Sequence, residues 1–460
     1  MNPLYILYAI FIFGLLIFIH ELGHFIVARL CGVKVLEFAI GMGPKLISWK
    51  SKKSDIRYSL RAFPIGGFVN MLGENGMEAV QGDNGMELKA EKNNKKEDET
   101  IPLDQLPPEL AKQAYCNQNV WKRILISVAG PAMNIILGFL LMLVIVLVQG
   151  PNAAGGTIVA GFHVQYTAEE AQYGFEPNDY LDTYTIVNEA GEEKKMPIRS
   201  YGDFKRIIQE SDGEEIKLTV QRLNAERTKY EDVDLTVVLN EADLKLFTGS
   251  LSENCGLEIH DKVIKVNSTR VHTYDELSYE IMNQGYKPMK FTVIRDGEKI
   301  VLEDVIVPST VSQGVALGTM DFQIYREGAT LTFATVVKHT WFRSLSTVKM
   351  VYDSLFGLFS GRYGVEAVSG PVGITKVVGE AAKYGFIPLL NLVIVISINL
   401  GVMNLLPIPA LDGGHIFIYL IEVVRRKPMK RELEGIINLV GLAVMLALAV
   451  LVAIKDIITL

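Results

Sequence analysis

The sequence has few cysteines, and their spacing excludes two kinds of site. The 460 residues include only three, Cys31, Cys116 and Cys255. An odd number without C-x-x-C spacing predicts neither a disulfide framework nor a thiolate zinc site. The chain also contains no solenoid-type repeat array, no glycine-rich phosphate loop and no basic patch typical of nucleic-acid binding. Nucleotide-dependent functions are therefore unsupported, and no nucleic-acid partner is expected.

Long apolar segments are what the chain has in abundance. Hydrophobic residues make up 49% of it, and the net charge is -7. Four segments are long and apolar enough to span a bilayer: residues 4–28, 124–148, 387–406 and 436–454. No Lys or Arg precedes the first segment and no small-residue cleavage site follows it, so we expect a retained span and not a signal peptide. The lipid bilayer is therefore an expected partner.

Basic residues next to the spans predict their orientation. Clusters at 50–61, 122–123 and 425–431 all fall in the first and third connections. The positive-inside rule places those connections in the cytoplasm, with both termini and the long segment 150–384 on the other side. The cytoplasmic ends of the first and third spans then lie at one depth.

The most informative motif is H-E-x-x-H, which lies inside the first apolar span. Positions four apart share a face of a helix, so His20 and His24 can direct both imidazoles at one Zn²⁺. Glu21 lies beside them as the candidate general base. An ionisable side chain at mid-membrane costs about 2.5 to 3.5 kcal/mol on insertion scales, so a metal or a cavity must compensate this group. Two histidines that only hydrogen-bond to neighbouring helices are the competing interpretation.

A catalytic zinc needs a third protein ligand, and the proline-interrupted end of the third span offers one. Asp412 would complete a set of two histidines and one carboxylate, leaving a fourth position for water. Irregular backbone at membrane depth is tolerated mainly where it lines a cavity, which favours this location. His415 and Glu37 are rival ligands, and Glu37 ranks below Asp412 because it lies only a short way past the helix-ending Gly32. Asn404 is a candidate hydrogen-bond donor to the developing oxyanion.

The segment between the second and third spans contains a weak internal repeat. A glycine-containing loop, a helix-like stretch and a strand follow one another after Gly174 and again after Gly256. The alternation of apolar residues and the turn Asp296-Gly297 favour short strands and a hairpin. The two units resemble tandem PDZ domains, whose open sheet edge can accept an extended peptide. Small α+β modules that act only as spacers are the alternative.

Three other segments have recognisable patterns. Residues 55–73 alternate apolar and polar positions around Gly66-Gly67, and we interpret them as strands that dip into the membrane from the cytoplasmic side. Their free edge would hold an unwound substrate by strand addition, whereas a surface hairpin is the simpler alternative. Residues 332–359 predict amphipathic helices. Residues 74–112 are polar and charge-mixed, which predicts a mobile loop.

Taken together, these motifs resemble the bacterial site-2 protease family, RseP type. The matching segments extend over nearly the full chain: residues 20–24, 66–71, 129–134, 369–374 and 404–413. The resemblance implies zinc bound by His20, His24 and Asp412, with Glu21 activating water and Asn404 assisting the transition state. Residues 41–43 depart from the family pattern, in which an aromatic residue is common between the two glycines.

The resemblance also implies a substrate class and a location. The substrates would be single-pass membrane proteins, of the anti-sigma factor or remnant signal peptide type, cut after an earlier protease has trimmed them. The PDZ-like domains would act as a size filter. The protein would be a multi-pass protein of the bacterial cytoplasmic (inner) membrane, with its active site near the cytoplasmic side.

The predicted fold class is an α+β membrane protein. Four transmembrane helices form a zinc protease core, accompanied by a membrane-associated β-hairpin and tandem PDZ-like domains in the extracytoplasmic loop. The predicted divisions are the first helix at 1–30, a cytoplasmic loop at 31–118, the second helix at 119–150, PDZ-like domains at 151–245 and 246–310, an amphipathic helical linker at 311–384, the third helix at 385–415, a cytoplasmic loop at 416–433 and the fourth helix at 434–460.

Two other functions compete with intramembrane proteolysis. A different membrane zinc peptidase would have more spans and a Glu ligand on a later helix, and the sequence has neither. A catalytically inactive scaffold would use the PDZ-like units to bind protein tails. The intact Glu21 beside two histidines argues against that scaffold, since a pseudoenzyme has no need of the base.

Overall fold

A computed structural model describes most of the chain. The described residues are 3–52, 54–74, 79–80, 100–101, 107–149, 156–187, 191–224, 230–284, 287–312, 315–325, 332–361, 368–429 and 431–458. The chain divides into two units, one made of Met1–Ile145 with Thr347–Leu460 and the other of Val146–Ser346. The predicted mobile loop at 74–112 falls largely outside the described residues.

Eleven α-helices lie in the described residues, and four of them are candidate membrane spans. They are α1 (Pro3–Leu30), α2 (Pro108–Ala111), α3 (Val120–Gln149), α4 (Tyr201–Ser211), α5 (Leu251–Asn254), α6 (Tyr274–Gln284), α7 (Phe333–Phe359), α8 (Pro371–Lys383), α9 (Phe386–Asn404), α10 (Asp412–Arg425) and α11 (Arg431–Ile458). In the described part of the chain, α1, α3, α9 and α11 are long and apolar enough to cross a bilayer. The prediction of four spans is confirmed.

The strands form several sheets. They are β1 (Val35–Lys50), β2 (Arg57–Met71), β3 (Ala79–Val80), β4 (Thr100–Ile101), β5 (Val159–Phe162), β6 (Val164–Tyr166), β7 (Tyr180–Val187), β8 (Glu193–Pro197), β9 (Glu215–Leu223), β10 (Tyr230–Val238), β11 (Phe247–Thr248), β12 (Lys262–Val266), β13 (Thr269–Arg270), β14 (Met289–Arg295), β15 (Glu298–Val305), β16 (Ser309–Ser312), β17 (Val315–Gly318) and β18 (Phe322–Ile324). The mixture of helices and sheets confirms the α+β class.

The first unit contains a sheet built from two long, bent strands, β1 and β2. The start of β1 pairs on one side with residues 67–71 and on the other with residues 57–60. Glycines with positive φ at Gly41, Gly43 and Gly66 allow the bends. β2 packs against α1. The sequence predicted strands only at 55–73 and missed β1, whose residues lack a regular alternation.

The second unit contains two modules, each with its own core. The first module has a six-stranded sheet in the order β10-β9-β7-β6-β11, with β8 on β7, around a core that includes Phe204 and Phe247. The second has a four-stranded sheet in the order β13-β12-β14-β15, with α6 against it. The predicted helices near 203 and 275 and the turn at Asp296-Gly297 are present.

The modules are nested, and the predicted tandem boundaries at 151–245 and 246–310 need correction. β5 pairs with β18, and Val159, Phe162 and Phe322 all belong to the second module's core. The first module, from β6 to β11, is therefore inserted between two segments of the second. A sheet pairing between segments so distant in the sequence leaves no local pattern, which is why the boundaries were misplaced.

An equivalent ionic network occurs in each of the two modules, as expected for an internal repeat. Arg222 binds both carboxylate oxygens of Asp179 and the Gly174 carbonyl, and Arg295 makes the same contacts with Asp261 and Gly256. Each aspartate lies five residues after its glycine and is almost fully buried. A bidentate arginine pair fixes both the loop and the strand that carries the arginine.

Two connecting segments also differ from the prediction. Residues 416–433 were expected to form a loop, but α10 extends through Arg425 before Arg426 ends it in the left-handed conformation. Residues 311–384 were predicted as an amphipathic helical linker with helices at 332–359, but β17 and β18 precede α7. In both cases the tertiary contacts of apolar residues, Ile418 in one core and Phe322 in another, outweigh the weak local signal.

Candidate metal centre

Three side chains that the sequence singled out converge in the first unit. His20 Nε2 lies 3.1 Å from Asp412 Oδ2, His24 Nε2 lies 3.4 Å from Asp412 Oδ1, and the two Nε2 atoms lie 3.2 Å apart. Among the described residues, these three form the group of His, Cys, Asp and Glu side chains that is able to hold a metal ion. The cluster joins α1 to the first residue of α10.

Two glycines allow α1 and α3 to pack closely without obstructing the two imidazoles. A Cβ atom at Gly130 would lie 2.2 Å from His24 Nε2 and 2.8 Å from His20 Nε2. A Cβ atom at Gly23 would lie 2.4 Å from the Ala129 carbonyl oxygen. Glycine at these two positions therefore lets the helices approach closely and leaves the histidine rings in the space between them.

The outer nitrogen of each histidine ring has a neighbour on α3. His24 Nδ1 lies 2.8 Å from the carbonyl oxygen of Ile126. Since a carbonyl only accepts, Nδ1 carries the proton in a neutral ring, and Nε2 keeps its lone pair for a metal. His20 Nδ1 lies 3.4 Å from the side-chain amide of Asn134, which is 1% exposed. No role for Asn134 in the site was predicted from the sequence.

The backbone between α9 and α10 places Asp412 at the start of a helix. A Cβ atom at Gly413 would lie 2.0 Å from the Leu406 carbonyl oxygen, and one at Gly414 would lie 2.4 Å from that of Ile408. The proline-containing loop therefore folds tightly back on α10. At the far end of α10, Glu422 accepts a hydrogen bond of 2.5 Å from Arg123 of α3. Both ends of the helix that carries Asp412 are thus held in place.

The candidate base faces the sheet of the first unit. A Cβ atom at Gly67 of β2 would lie 3.1 Å from Cγ of Glu21 and 3.0 Å from the Ala39 carbonyl oxygen. Among the described residues, residues 67–71 of β2 pair with the start of β1. A side chain at position 67 would therefore require the strand or the acid to shift by a few tenths of an ångström.

The other candidates lie elsewhere. Glu37 is buried in β1, where it accepts hydrogen bonds from Ser59 and Arg61. His415 lies 3.4 Å from Glu434 of α11. Asn404 is the last residue of α9 and is partly buried, and its part in the oxyanion site stays a prediction.

The donor set fits zinc. With Zn–N and Zn–O bonds of about 2.0 to 2.2 Å in a tetrahedral site, neighbouring donor atoms are about 3.3 Å apart. His20 Nε2 lies 3.1 Å from Asp412 Oδ2 and 3.2 Å from His24 Nε2, and both separations are close to this value. His24 Nε2 lies 3.4 Å from the other oxygen of the same carboxylate, Oδ1, and the ligand atoms of the three residues all lie within 4.8 Å of one another. Two imidazoles and one carboxylate are also the ligand types that catalytic zinc sites use, with one position left for water.

Comparison with known proteins agrees with this geometry. The sequence model of peptidase family M50 matches residues 8–448. The chain is 29% identical to the zinc metalloprotease RasP of Geobacillus kaustophilus, over 97% of this chain and 96% of that protein. It is 27% identical to RasP of Bacillus licheniformis, over 97% of each chain. It is 28% identical to the "Probable protease eep" of Enterococcus faecalis, again over 97% of each. The chain therefore belongs to peptidase family M50, the bacterial site-2 protease family, and is a multi-pass membrane zinc metalloendopeptidase.

Proposed function

We propose that the protein cleaves single-pass membrane proteins within or near their transmembrane segments, after an earlier cut has trimmed them. The observation that carries the proposal is the position of the donor cluster, between α1, a candidate membrane span, and α10, which follows another. A peptide bond that reaches this cluster has to come from a segment at membrane depth. Anti-sigma factors and remnant signal peptides are substrates of this kind.

Each residue of the proposed active site has its own role in hydrolysis. His20, His24 and Asp412 would hold the metal, which supplies Lewis acidity and lowers the pKa of a bound water toward about 7. Glu21 would accept a proton from the attacking water and return it to the leaving amine. Asn404 donates a hydrogen bond to the oxygen that becomes negatively charged in the transition state.

A transmembrane helix has to unwind before its backbone can be cut. Its carbonyl groups are engaged in hydrogen bonds within the helix, and each group that is freed in lipid needs a new partner. Segment 67–71 lies beside Glu21 and has the extended conformation that strand addition requires. In this proposal the unwound substrate pairs with that segment and presents its scissile bond to Glu21.

The nested modules act as a size filter in this proposal. They would keep intact membrane proteins away from the site and admit the trimmed stub. The basic clusters in the first and third connections support an orientation with the modules and both termini outside the cytoplasm and the metal centre near the cytoplasmic side.

A single internal deletion removes both modules together. The backbone of Gly156 and that of Tyr325 are joined by a 3.3 Å hydrogen bond, so the two ends of the modules lie side by side. Joining Gly156 to Tyr325 removes both modules without stretching the chain. The full-length protein, this deletion variant and Glu21→Gln are purified in detergent. Each is then given a single-span substrate in two forms, with and without a large outer domain.

We expect the full-length protein to cut only the trimmed form and the deletion variant to cut both. Glu21→Gln should slow cleavage of the trimmed form by about 10²- to 10⁴-fold, the usual contribution of a general base. Normal turnover by Glu21→Gln would refute the mechanism. If the deletion variant still rejects the long form, the size filter is wrong and the chemistry stands.

A further inference from the structure

A cavity of about 450 Å³ in the second unit has a strongly basic lining. Strands β12 to β15 form one side of it and α7 contributes another. The described lining residues contain no Asp or Glu. Its five cationic residues are Lys262, Lys265, Arg270, Lys299 and Lys338.

The concentration of positive charge is unusual for this part of the chain. Residues 246–325 contain eleven acidic and seven basic residues, yet four of those seven cations line the cavity. The acidic groups nearby are engaged elsewhere, such as Glu258 and Asp261 with Arg295 and Glu303 with Lys290. Within the part of the chain that the structure describes, none of the five lining cations forms an ion pair. The cavity therefore concentrates uncompensated positive charge on an acidic module.

The first half of α7 is firmly attached to the second module. The ring of Phe342 stacks on His272 with 4.8 Å between centroids, and Arg343 Nε lies 3.0 Å from Asp275 Oδ2. Both contacts lie beside the cavity, and the hydroxyl-bearing residues Thr273 and Thr292 also line it. Its shape is thus fixed by packing, and hydrogen-bond donors accompany the charges.

An exposed apolar stripe runs along α7 next to the cavity. Phe333, Val337, Trp341 and Leu345 recur every four residues and are 87%, 48%, 55% and 45% exposed. Each of the lining residues Lys338 and Phe342 follows a stripe residue by one position, about 100° around the helix axis, so the cavity and the stripe lie on adjacent faces of α7. A helix with an apolar stripe and flanking lysines is typical of one that lies in a membrane interface. Every copy of this chain carries four candidate spans and is therefore always beside a bilayer.

We propose that this cavity binds the phosphate headgroup of an anionic phospholipid while the stripe of α7 lies in the same leaflet. The charge of the cavity matches a phosphodiester anion, and its volume exceeds what a single phosphate ion fills. An acidic peptide would satisfy the lysines but would leave the stripe exposed to water. The lipid satisfies both surfaces at once, and it would tie the second module to the membrane surface.

The test compares lipid binding by two charge-matched variants of the full-length protein in detergent. Lys265→Gln/Lys338→Gln removes two cavity cations, and Lys287→Gln/Lys290→Gln removes two cations of the same module outside the cavity lining. Native mass spectrometry follows the binding of phosphatidylglycerol and of phosphatidylcholine to each protein. Each basic residue contributes about fivefold to the binding of anionic lipid, so the cavity variant should bind phosphatidylglycerol about 30-fold more weakly than the wild type. The control variant should bind it like the wild type.

Several results would overturn the proposal. One is equal phosphatidylglycerol binding by the cavity variant and the control, and another is equally tight binding of phosphatidylcholine by the wild type. Inorganic phosphate that displaces the lipid at the same concentration would assign the cavity to a free anion. An acidic peptide that binds the wild type more tightly than the lipid would assign it to a protein partner. Thermal melting of each variant verifies that all three proteins are folded.

Discussion

The side-chain amide nitrogen of Asn134 lies 3.4 Å from His20 Nδ1, and the Oδ1 atom of the same amide is buried without a hydrogen-bond partner among the described residues. A histidine that ligates zinc through Nε2 carries its proton on Nδ1 and needs an acceptor there. Rotating the Asn134 amide by 180° supplies that acceptor and gives Oδ1 its partner. We therefore expect Asn134 to position His20 for the metal.

Replacing Asn134 tests this relationship directly. Asn134→Ala removes the acceptor for His20 Nδ1 and should weaken zinc binding by about 10- to 100-fold, the usual effect of losing such a partner. Competition with a zinc chelator measures the affinity. Ser397→Ala is the control, because Ser397 donates its hydrogen bond to the backbone carbonyl of Asn134 and not to the amide. Equal zinc affinity in Asn134→Ala and the wild type would contradict the assignment.

Gly130 should be as important for the metal as the ligands themselves. A Cβ atom there would lie 2.2 Å from His24 Nε2 and 2.8 Å from His20 Nε2, so Gly130→Ala displaces the imidazoles from their present positions and should abolish stoichiometric zinc. Alanine is the better helix former by about 1 kcal/mol, so a loss of helix stability is not the cause. Gly435→Ala in α11, where nothing lies within 4 Å of the new Cβ, is the matched control and should keep its zinc. A fully loaded Gly130→Ala variant would show that the rings do not occupy that space.

Replacing Gly67 tests whether the strand beside Glu21 takes part in cleavage. Gly67→Ala places a methyl group 3.1 Å from Glu21 Cγ and 3.0 Å from the Ala39 carbonyl oxygen, so strand or acid has to shift by a few tenths of an ångström. We expect zinc content to stay normal and cleavage of a trimmed single-span substrate to fall by up to about 10²-fold, since small misplacements are costly in catalysis. Gly435→Ala again serves as the control. Unchanged cleavage would mean that the substrate does not use this edge.

The ionic network of the second module predicts a large stability effect. Arg295→Leu leaves the fully buried Asp261 without its partner and should lower the module's free energy of unfolding by about 3 kcal/mol. Lys290→Leu breaks the half-exposed pair with Glu303 and should cost less than about 1 kcal/mol. Pulse proteolysis of the full-length chain in urea measures both. Similar effects of the two substitutions would show that the Arg295 network is not structurally important.

The sequence predicted the parts of this molecule that depend on local pattern. The four spans follow from apolar length, and His20 with His24 follow from the helical repeat. Asp412 could be singled out because proline-interrupted backbone at membrane depth marks a cavity, and Glu37 could be ranked below it because Glu37 lies only a short way past the helix-ending Gly32. In the structure Glu37 and His415 contact other groups, Arg61 and Glu434.

What the sequence did not predict depends on contacts between distant segments. The pairing of β5 with β18 nests one module inside the other, and nothing near Val159 or Phe322 indicates it. The position of Asn134 beside His20 depends on how α3 packs against α1. One signal was available for Asn134, because a polar residue inside an apolar span is a candidate functional residue by default.

The central claim is that His20, His24 and Asp412 hold one zinc ion. The most direct measurement is the zinc content of the full-length protein carrying Glu21→Gln, alone and combined with Asp412→Ala, Glu37→Ala or His415→Ala. We predict one zinc per chain for Glu21→Gln alone and for its combinations with Glu37→Ala and His415→Ala, and loss of zinc with Asp412→Ala. Retained zinc in the Asp412 variant, together with its loss in the Glu37 or His415 variant, would contradict the assignment.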